Sequence, residues 1–244
     1  MSLVVVIKDN GRIVMGADKQ GTLGDSKSHT ATKVWTVKGY DGCLMGGVGL
    51  CRANQVMQYA NGLIDRNDFE NGKLDINEEY VAMQLAPTIV QYLSACGIEL
   101  NGNEEDGCKF SALPNSYIFA YKDKAWLIGQ DLTVEEIDDY LAIGSGSAVA
   151  KGVLFASRDK DPFKRIAMAI EAASIETISV DDSIEVLVTE ERKGDEEAFN
   201  KAVGDGEIID LLASQQPKVE NGFIADSEVE VIDGDYNESS TRNK

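Results

Sequence analysis

An α+β fold, a four-layer αββα sandwich of two antiparallel sheets flanked by helices, is what the order of periodicities along the 244 residues predicts. Three observations carry it. Strand-like and helix-like runs come in blocks (four strands, two helices, three strands, two helices, one strand), and such blocks segregate into layers, with helices covering both faces of two stacked sheets. The chain enters on Leu3-Val4-Val5-Val6-Ile7, a β-branched run suited to a strand buried on both faces. A hydrophobic content of 43% over this length suffices for one large core or two small ones.

Each element has its own local reason. Asp9-Asn10-Gly11 supplies hairpin chemistry, because Asn and Gly tolerate the positive φ of tight turns, and a second strand follows from Arg12 to Ala17. The Gly-, Ser-, Thr- and Lys-rich stretch from Asp18 to Thr32 reads as an irregular excursion. Two more strands, Lys33 to Val37 and Cys43 to Val48, are joined at Gly39-Tyr40-Asp41-Gly42. From Leu50 the period changes. Val56, Tyr59, Ala60, Leu63 and Ile64 recur at helical spacing and predict a helix of about four turns. A second helix is expected from about Glu78 to Ala95, capped by Asn77 and open to kinking at Pro87. Residues 101 to 109 read as a loop. Ser116 to Tyr121 and Ala125 to Ile128 form a hairpin around Lys122-Asp123-Lys124, and Tyr140 to Ile143 is a further strand. Helices return at Ala148 to Ser157 and Pro162 to Ile178, the latter with Asp161 as cap and Pro162 in its first turn. Ser183 to Thr189 closes the sheet.

Past Thr189 the character changes: residues 190–244 hold 15 acids against 6 basic residues. Residues 1–189 are therefore read as one domain and 190–244 as an acidic C-terminal extension, partly disordered, with a short helix within 195–213. Val229-Glu230-Val231-Ile232 is expected to dock as an edge strand, and disorder is expected from about Asp233.

Composition excludes several function classes. A formal net charge of −19 and a pI near 4.4 argue against a nucleic-acid surface or an anionic membrane, which need clustered Lys and Arg. No apolar run approaches the ~18 residues of a membrane span, and no secretory segment precedes the first strand, so the cytosol is expected. Cys43, Cys51, Cys96 and Cys108 stand apart with a single histidine, His29, in the chain. That pattern suggests neither a zinc site nor a disulfide framework, but buried free thiols. No cofactor is implied.

Chemistry is suggested by four separated patterns. Gly16-Ala17-Asp18 sets an aspartate sixteen residues after Ser2. Gln20-Gly21-Thr22-Leu23-Gly24 leads through a polar loop to Thr32-Lys33-Val34; Gly46-Gly47-Val48-Gly49 passes into a helix; and Ala142-Ile143-Gly144-Ser145-Gly146-Ser147 enters another. Singly, each has a plainer explanation. Asp18 would pair with a nearby lysine, Lys33 would be a solvated strand residue, Gly49 a helix-entry glycine and Ser145 an N-cap. A serine hydroxyl needs a nearby base, and a Ser-His-Asp triad would hang on His29, which lies in a polar loop and reads as exposed. The α-amino group freed by removal of Met1 is an alternative base, with an intrinsic pKa of about 7.7–8.0. Lys33 near that amine would keep part of it neutral and help to stabilise developing negative charge, and Asp18 would orient and pair the ammonium.

In order, spacing and element context, over roughly residues 2 to 189, these patterns resemble proteasome β-subunits and the HslV peptidase, which are N-terminal-nucleophile (Ntn) hydrolases. The resemblance implies that Ser2 is the nucleophile and that Asp18 and Lys33 match the family's aspartate and active-site lysine, with one residue fewer in the intervening loop. It also implies that the Gly49 amide forms the oxyanion hole and that Ser145 lies beside the nucleophile. Glu176 with Ser179 falls near an acid and a serine that follow the penultimate helix in the family, although proteasomes usually have Asp there and the following Gly is absent. Ser2 replaces the usual threonine and lacks the methyl group that restricts χ1. Implied partners are further copies of the chain in rings, an ATP-dependent unfoldase and polypeptide substrates. A catalytically inactive structural or regulatory oligomer and an amidohydrolase of small amides are the alternatives.

Overall fold

The computed structural model describes residues 2–23, 25–64, 76–100, 102–105 and 108–204. Strands β1 (Leu3–Asp9) and β2 (Arg12–Asp18) form the predicted hairpin, with Asn10 and Gly11 both at positive φ. Two short strands, β3 (Gly21–Leu23) and β4 (Ser26–Ser28), pair across the segment expected to be irregular. Next come β5 (Val34–Thr36), β6 (Cys43–Gly49) and helix α1 (Cys51–Tyr59). At nine residues α1 is shorter than predicted; Leu63 and Ile64 lie beyond its end yet are buried, because the helical spacing of apolar residues continues into a turn that packs on the same core.

Helix α2 runs through Glu78–Tyr80, a π-helical turn at Val81–Leu85, and Ala86–Ala95. The side chain of Asn77 accepts from the Tyr80 N–H as expected of an N-cap. Pro87, which cannot donate to the ladder, stands two residues after the widened turn ends at Leu85, so the local adjustment precedes the proline. The segment expected to be a loop at 101 to 109 contains β7 (Gly102–Glu105) and β8 (Cys108–Ser111), which pair with each other. Strands β9 (Asn115–Tyr121), β10 (Lys124–Ile128), β11 (Val134–Glu136) and β12 (Tyr140–Gly144) follow, then α3 (Ser147–Ala156), α4 (Pro162–Glu176), β13 (Ile184–Val188) and α5 (Asp195–Val203). Like β3, β4, β7 and β8, the strand β11, three residues without an apolar alternation, has no counterpart in the sequence reading. The edge strand expected at 229–232, the remainder of the helix expected to 213 and the tail from 233 lie outside the described residues.

The main strands form two antiparallel sheets, ordered β12-β1-β2-β13 and β11-β10-β9-β6-β5. Alternation along β1 shows how they stack. Val4 and Val6 meet Leu44, Ile118 and Ala120 of the other sheet in a core between the two, whereas Leu3, Val5 and Ile7 meet Ile166, Ile170 and Phe163 of α4. A third core joins Met45, Tyr117, Phe119 and Trp126 of the five-stranded sheet to Val56 and Met57 of α1 and Ile89 and Leu93 of α2. Helix, sheet, sheet and helix layers result, as the block order predicted. Packing continues past Thr189, because Phe199 and Ala202 of α5 are buried beside Phe163. No helix of the described residues is long and apolar enough to cross a membrane.

Candidate active site

The antiparallel register brings the start of β1 beside the end of β2 and the end of β12. Ser2, one residue before β1, is 6% exposed and is held from the β12 side: the Ser145 N–H donates to the Ser2 carbonyl at 2.9 Å. The Ser145 hydroxyl also lies 3.3 Å from both the amide nitrogen and the carbonyl oxygen of Ser2, and 2.8 Å from the hydroxyl of Ser179. Gly144, at φ +101°, makes this approach possible; a Cβ there would sit 2.0 Å from the Ser2 carbonyl oxygen. Ser145 is not the N-cap of α3. That position falls to Gly146, and the Ser145 hydroxyl serves Ser2 instead.

Asp18 ends β2 fully buried. One carboxylate oxygen accepts from the Leu3 N–H at 2.8 Å; the other accepts from the N–H groups of Gln20 at 3.1 Å and Asp181 at 3.4 Å. Lys33 enters β5 with its ammonium 2.6 Å from that second oxygen and 3% of its side chain exposed. Its backbone is fixed as well, since the Lys33 carbonyl accepts from the Gly47 N–H at 2.8 Å. Lys33 is therefore not the solvated strand residue of the plainer explanation. Burial pushes the lysine below its ordinary value, opposed by the charge and hydrogen bond of Asp18. Burial pushes the Asp18 carboxyl up, opposed by Lys33 and by the Leu3 and Gln20 amides. Both members of the pair are driven toward their neutral forms, so a proton can move at this lysine at lower cost than at an exposed one.

Gly49 closes β6 at φ +134°, where a Cβ would lie 2.5 Å from the Pro114 carbonyl oxygen. Two buried asparagines hold the turn it belongs to. Asn115 accepts from the Leu50 N–H at 2.7 Å and donates to the Leu50 carbonyl and to Asn54, while Asn54 donates to the Gly47 carbonyl at 2.7 Å. Ser2, Lys33 and Gly49 share the lining of one cavity of about 530 Å³, with β3, β4 and the loop to residue 32 on one wall and α1 on the other. The structure thus brings Ser2, Asp18, Lys33, Gly49 and Ser145 to one place.

Several neighbours are not evident from the sequence. Asp181 is 9% exposed, accepts from Ser183 and from the Lys19 N–H, and lies 2.7 Å from Nδ1 of His29. His29 is exposed over most of its side chain, as expected of a loop residue, yet it caps this acid. Glu176 is exposed at the end of α4, so Ser179 reaches the cluster and Glu176 does not; the acid that approaches it is Asp181. The cysteines divide. Cys43 is buried, with burial and Asp41 pushing its thiol up to about 12, whereas Cys51 and Cys96 are exposed, against the expectation of buried thiols. Cys51 opens α1, a helix start with one side on the cavity. Among the described residues no cluster of histidine, cysteine or acidic side chains could hold a metal ion.

The layers form an αββα sandwich, consistent with the Ntn-hydrolase architecture. Within that class, solved structures place the fold with the proteasome β-subunit and HslV type. Thiobacillus denitrificans BPH superposes with a TM-score of 0.57 at 17% identity over 78% of this chain and 99% of its own. A second BPH structure, in complex with epoxomicin, gives 0.55 at 16% over 76% and 97%. HslV from Trypanosoma brucei gives 0.56 at 20% over 76% and 98%. No family model and no curated protein matches the chain.

Proposed function

We propose that this protein is a proteasome/HslV-like N-terminal-nucleophile peptidase in which Ser2, after removal of Met1, attacks the carbonyl of a peptide bond. One observation carries this most directly: Lys33, held 2.6 Å from the buried Asp18 carboxylate, lines the same cavity as Ser2. Serine at this position lacks the methyl group that would restrict its rotamer. Its backbone is instead pinned by Ser145 and the close approach of Gly144, which supplies preorganisation by packing.

In the proposed reaction the free α-amine of Ser2 takes the hydroxyl proton as Oγ bonds to the scissile carbonyl carbon. The carbonyl π-electrons move onto oxygen, where the Gly49 amide stabilises the charge. Collapse breaks the C–N bond, and the leaving amine takes the proton from the α-ammonium. Water, deprotonated by the same amine, then attacks the ester, and the second collapse releases the carboxylic acid and returns the proton to Ser2 Oγ. Burial pushes Lys33 below its ordinary value, opposed by Asp18, which makes this lysine a weaker brake on the basicity of the amine than an exposed one would be. Assembly into rings, feeding by an ATP-dependent unfoldase and action in the cytosol belong to the same proposal; the likeness to BPH and HslV supports the first of these.

Intact mass spectrometry tests the proposal. Purified protein is expected without Met1 and to gain the mass of a peptide epoxyketone or β-lactone, with the adduct on Ser2 and absent from Ser2→Ala. Protein that retains Met1 and takes up neither probe would make the chain a non-catalytic member of the fold.

A further inference from the structure

The cavity that holds Ser2 carries a chemical bias beyond the presence of a nucleophile. One wall offers hydroxyls, from Thr22 on β3, Ser28 on β4 and Thr30 and Thr32 in the loop that follows. The other offers carboxamides from α1, where Gln55 and Gln58, three residues apart, share a helical face. Among the described lining residues the one basic or acidic side chain of the Lys, Arg, Asp or Glu type is Lys33, and it is already paired with Asp18. We propose that this cavity selects an uncharged polar side chain, of the glutamine, asparagine, serine or threonine class, on the residue whose carbonyl Ser2 attacks. The proposal rests on the peptidase reading above and names its substrate class.

The physical case is one of exclusion as much as attraction. A lysine or arginine side chain would find no carboxylate among the described lining residues and would face the Lys33 amino group. An acidic side chain would compete with Asp18 for Lys33, against a carboxylate that already accepts three backbone N–H groups. A large apolar side chain would take hydroxyls and amides out of water with nothing to pair them. A carboxamide or hydroxyl both donates and accepts, and so satisfies either wall. Sites built to hydrogen-bond a guest reject its apolar isostere strongly when fully closed. Thr22, Thr30 and Gln55 keep access to water, so discrimination here is expected at about tenfold rather than at that limit.

The test uses the full-length protein and four peptide epoxyketones identical except for a terminal glutamine, leucine, lysine or glutamate side chain. The rate of Ser2 adduct formation is read by intact mass. The glutamine probe is expected to react about tenfold faster than the leucine probe, with the charged probes slower still. Fastest reaction with the leucine, lysine or glutamate probe overturns the selectivity while leaving Ser2 a nucleophile; no adduct with any probe overturns both. In the double variant Gln55→Leu, Gln58→Leu, on the accessible side of α1, preference is expected to move to the leucine probe. An unchanged glutamine preference would overturn the assignment of selectivity to the α1 wall.

Discussion

The two ends of the β1–β2 hairpin each bury an ion pair, and they are built to opposite effect. At the turn end, Arg12 is 4% exposed, donates to Asp9 at 3.0 Å and to both oxygens of Asp195, and reaches the Glu190 carbonyl at 3.1 Å. Burial alone would lower its affinity for the proton, yet the hydrogen bonds to Asp195 and Asp9 outweigh that, and the guanidinium is held more firmly charged than usual. At the open end, Lys33 has one carboxylate to answer it, and there desolvation wins. A buried cation surrounded by acceptors is a clasp, in this case tying α5 to the sheet. A buried cation left short of acceptors is poised to release its proton.

Replacing each cation in turn should separate the two roles. Lys33→Met is expected to slow Ser2 labelling by about 10²–10⁴-fold, the range of acid–base contributions, measured as adduct formation per folded molecule. Because the change also strands Asp18, Lys33→Met with Asp18→Asn restores neutrality; labelling that recovers to the wild-type rate in the double variant would mean that Lys33 acts only as a counter-ion. The same pair has a pH signature. Lys33 is depressed in the folded state, so between its folded value and the ordinary lysine value the unfolded chain binds the extra proton. Its contribution to stability therefore rises with pH across that window and is lost as pH falls through the folded value. The difference in unfolding free energy between wild type and Lys33→Met should grow as pH is raised toward that of a free lysine.

Arg12→Met should do the reverse. Removing one member of a buried pair costs about 3–5 kcal/mol, seen as a lower denaturant midpoint, while the labelling rate of molecules that remain folded should match wild type. Slowed labelling at unchanged stability would erase the distinction between the two ends.

Both ends show what a sequence carries and what it leaves out. The layers were legible because they rest on local periodicity: β1 alternates its residues between two cores, and Asp9-Asn10-Gly11 sets the hairpin that defines the register. The positions of Ser2, Asp18, Lys33, Gly49 and Ser145 were legible because each lies next to a strand or helix boundary within a short motif. Asp181 was not, nor was the Asn54–Asn115 bracket under Gly49. Their partners lie as many as 163 residues away, for Asp181 and Asp18, and 61 for the two asparagines, and no periodicity singles them out. The shortness of α1 was hidden for a related reason: Leu63 and Ile64 keep the helical spacing but reach the core from a turn.

The smallest expected effect concerns Ser145, whose hydroxyl touches both Ser2 and Ser179. Ser145→Ala removes those contacts and leaves the 2.9 Å backbone bond to the Ser2 carbonyl in place. Loss of a typical hydrogen bond is worth about 1 kcal/mol, and labelling is therefore expected to fall by roughly fivefold, with the fold intact by circular dichroism. If the two hydroxyls act as one unit, Ser179→Ala should slow labelling by a similar factor and the double variant by little more than either alone, since contacting residues are not additive. Full additivity would mean that Ser145 and Ser179 reach Ser2 by separate routes, and that the 2.8 Å contact between them does no more than fill space.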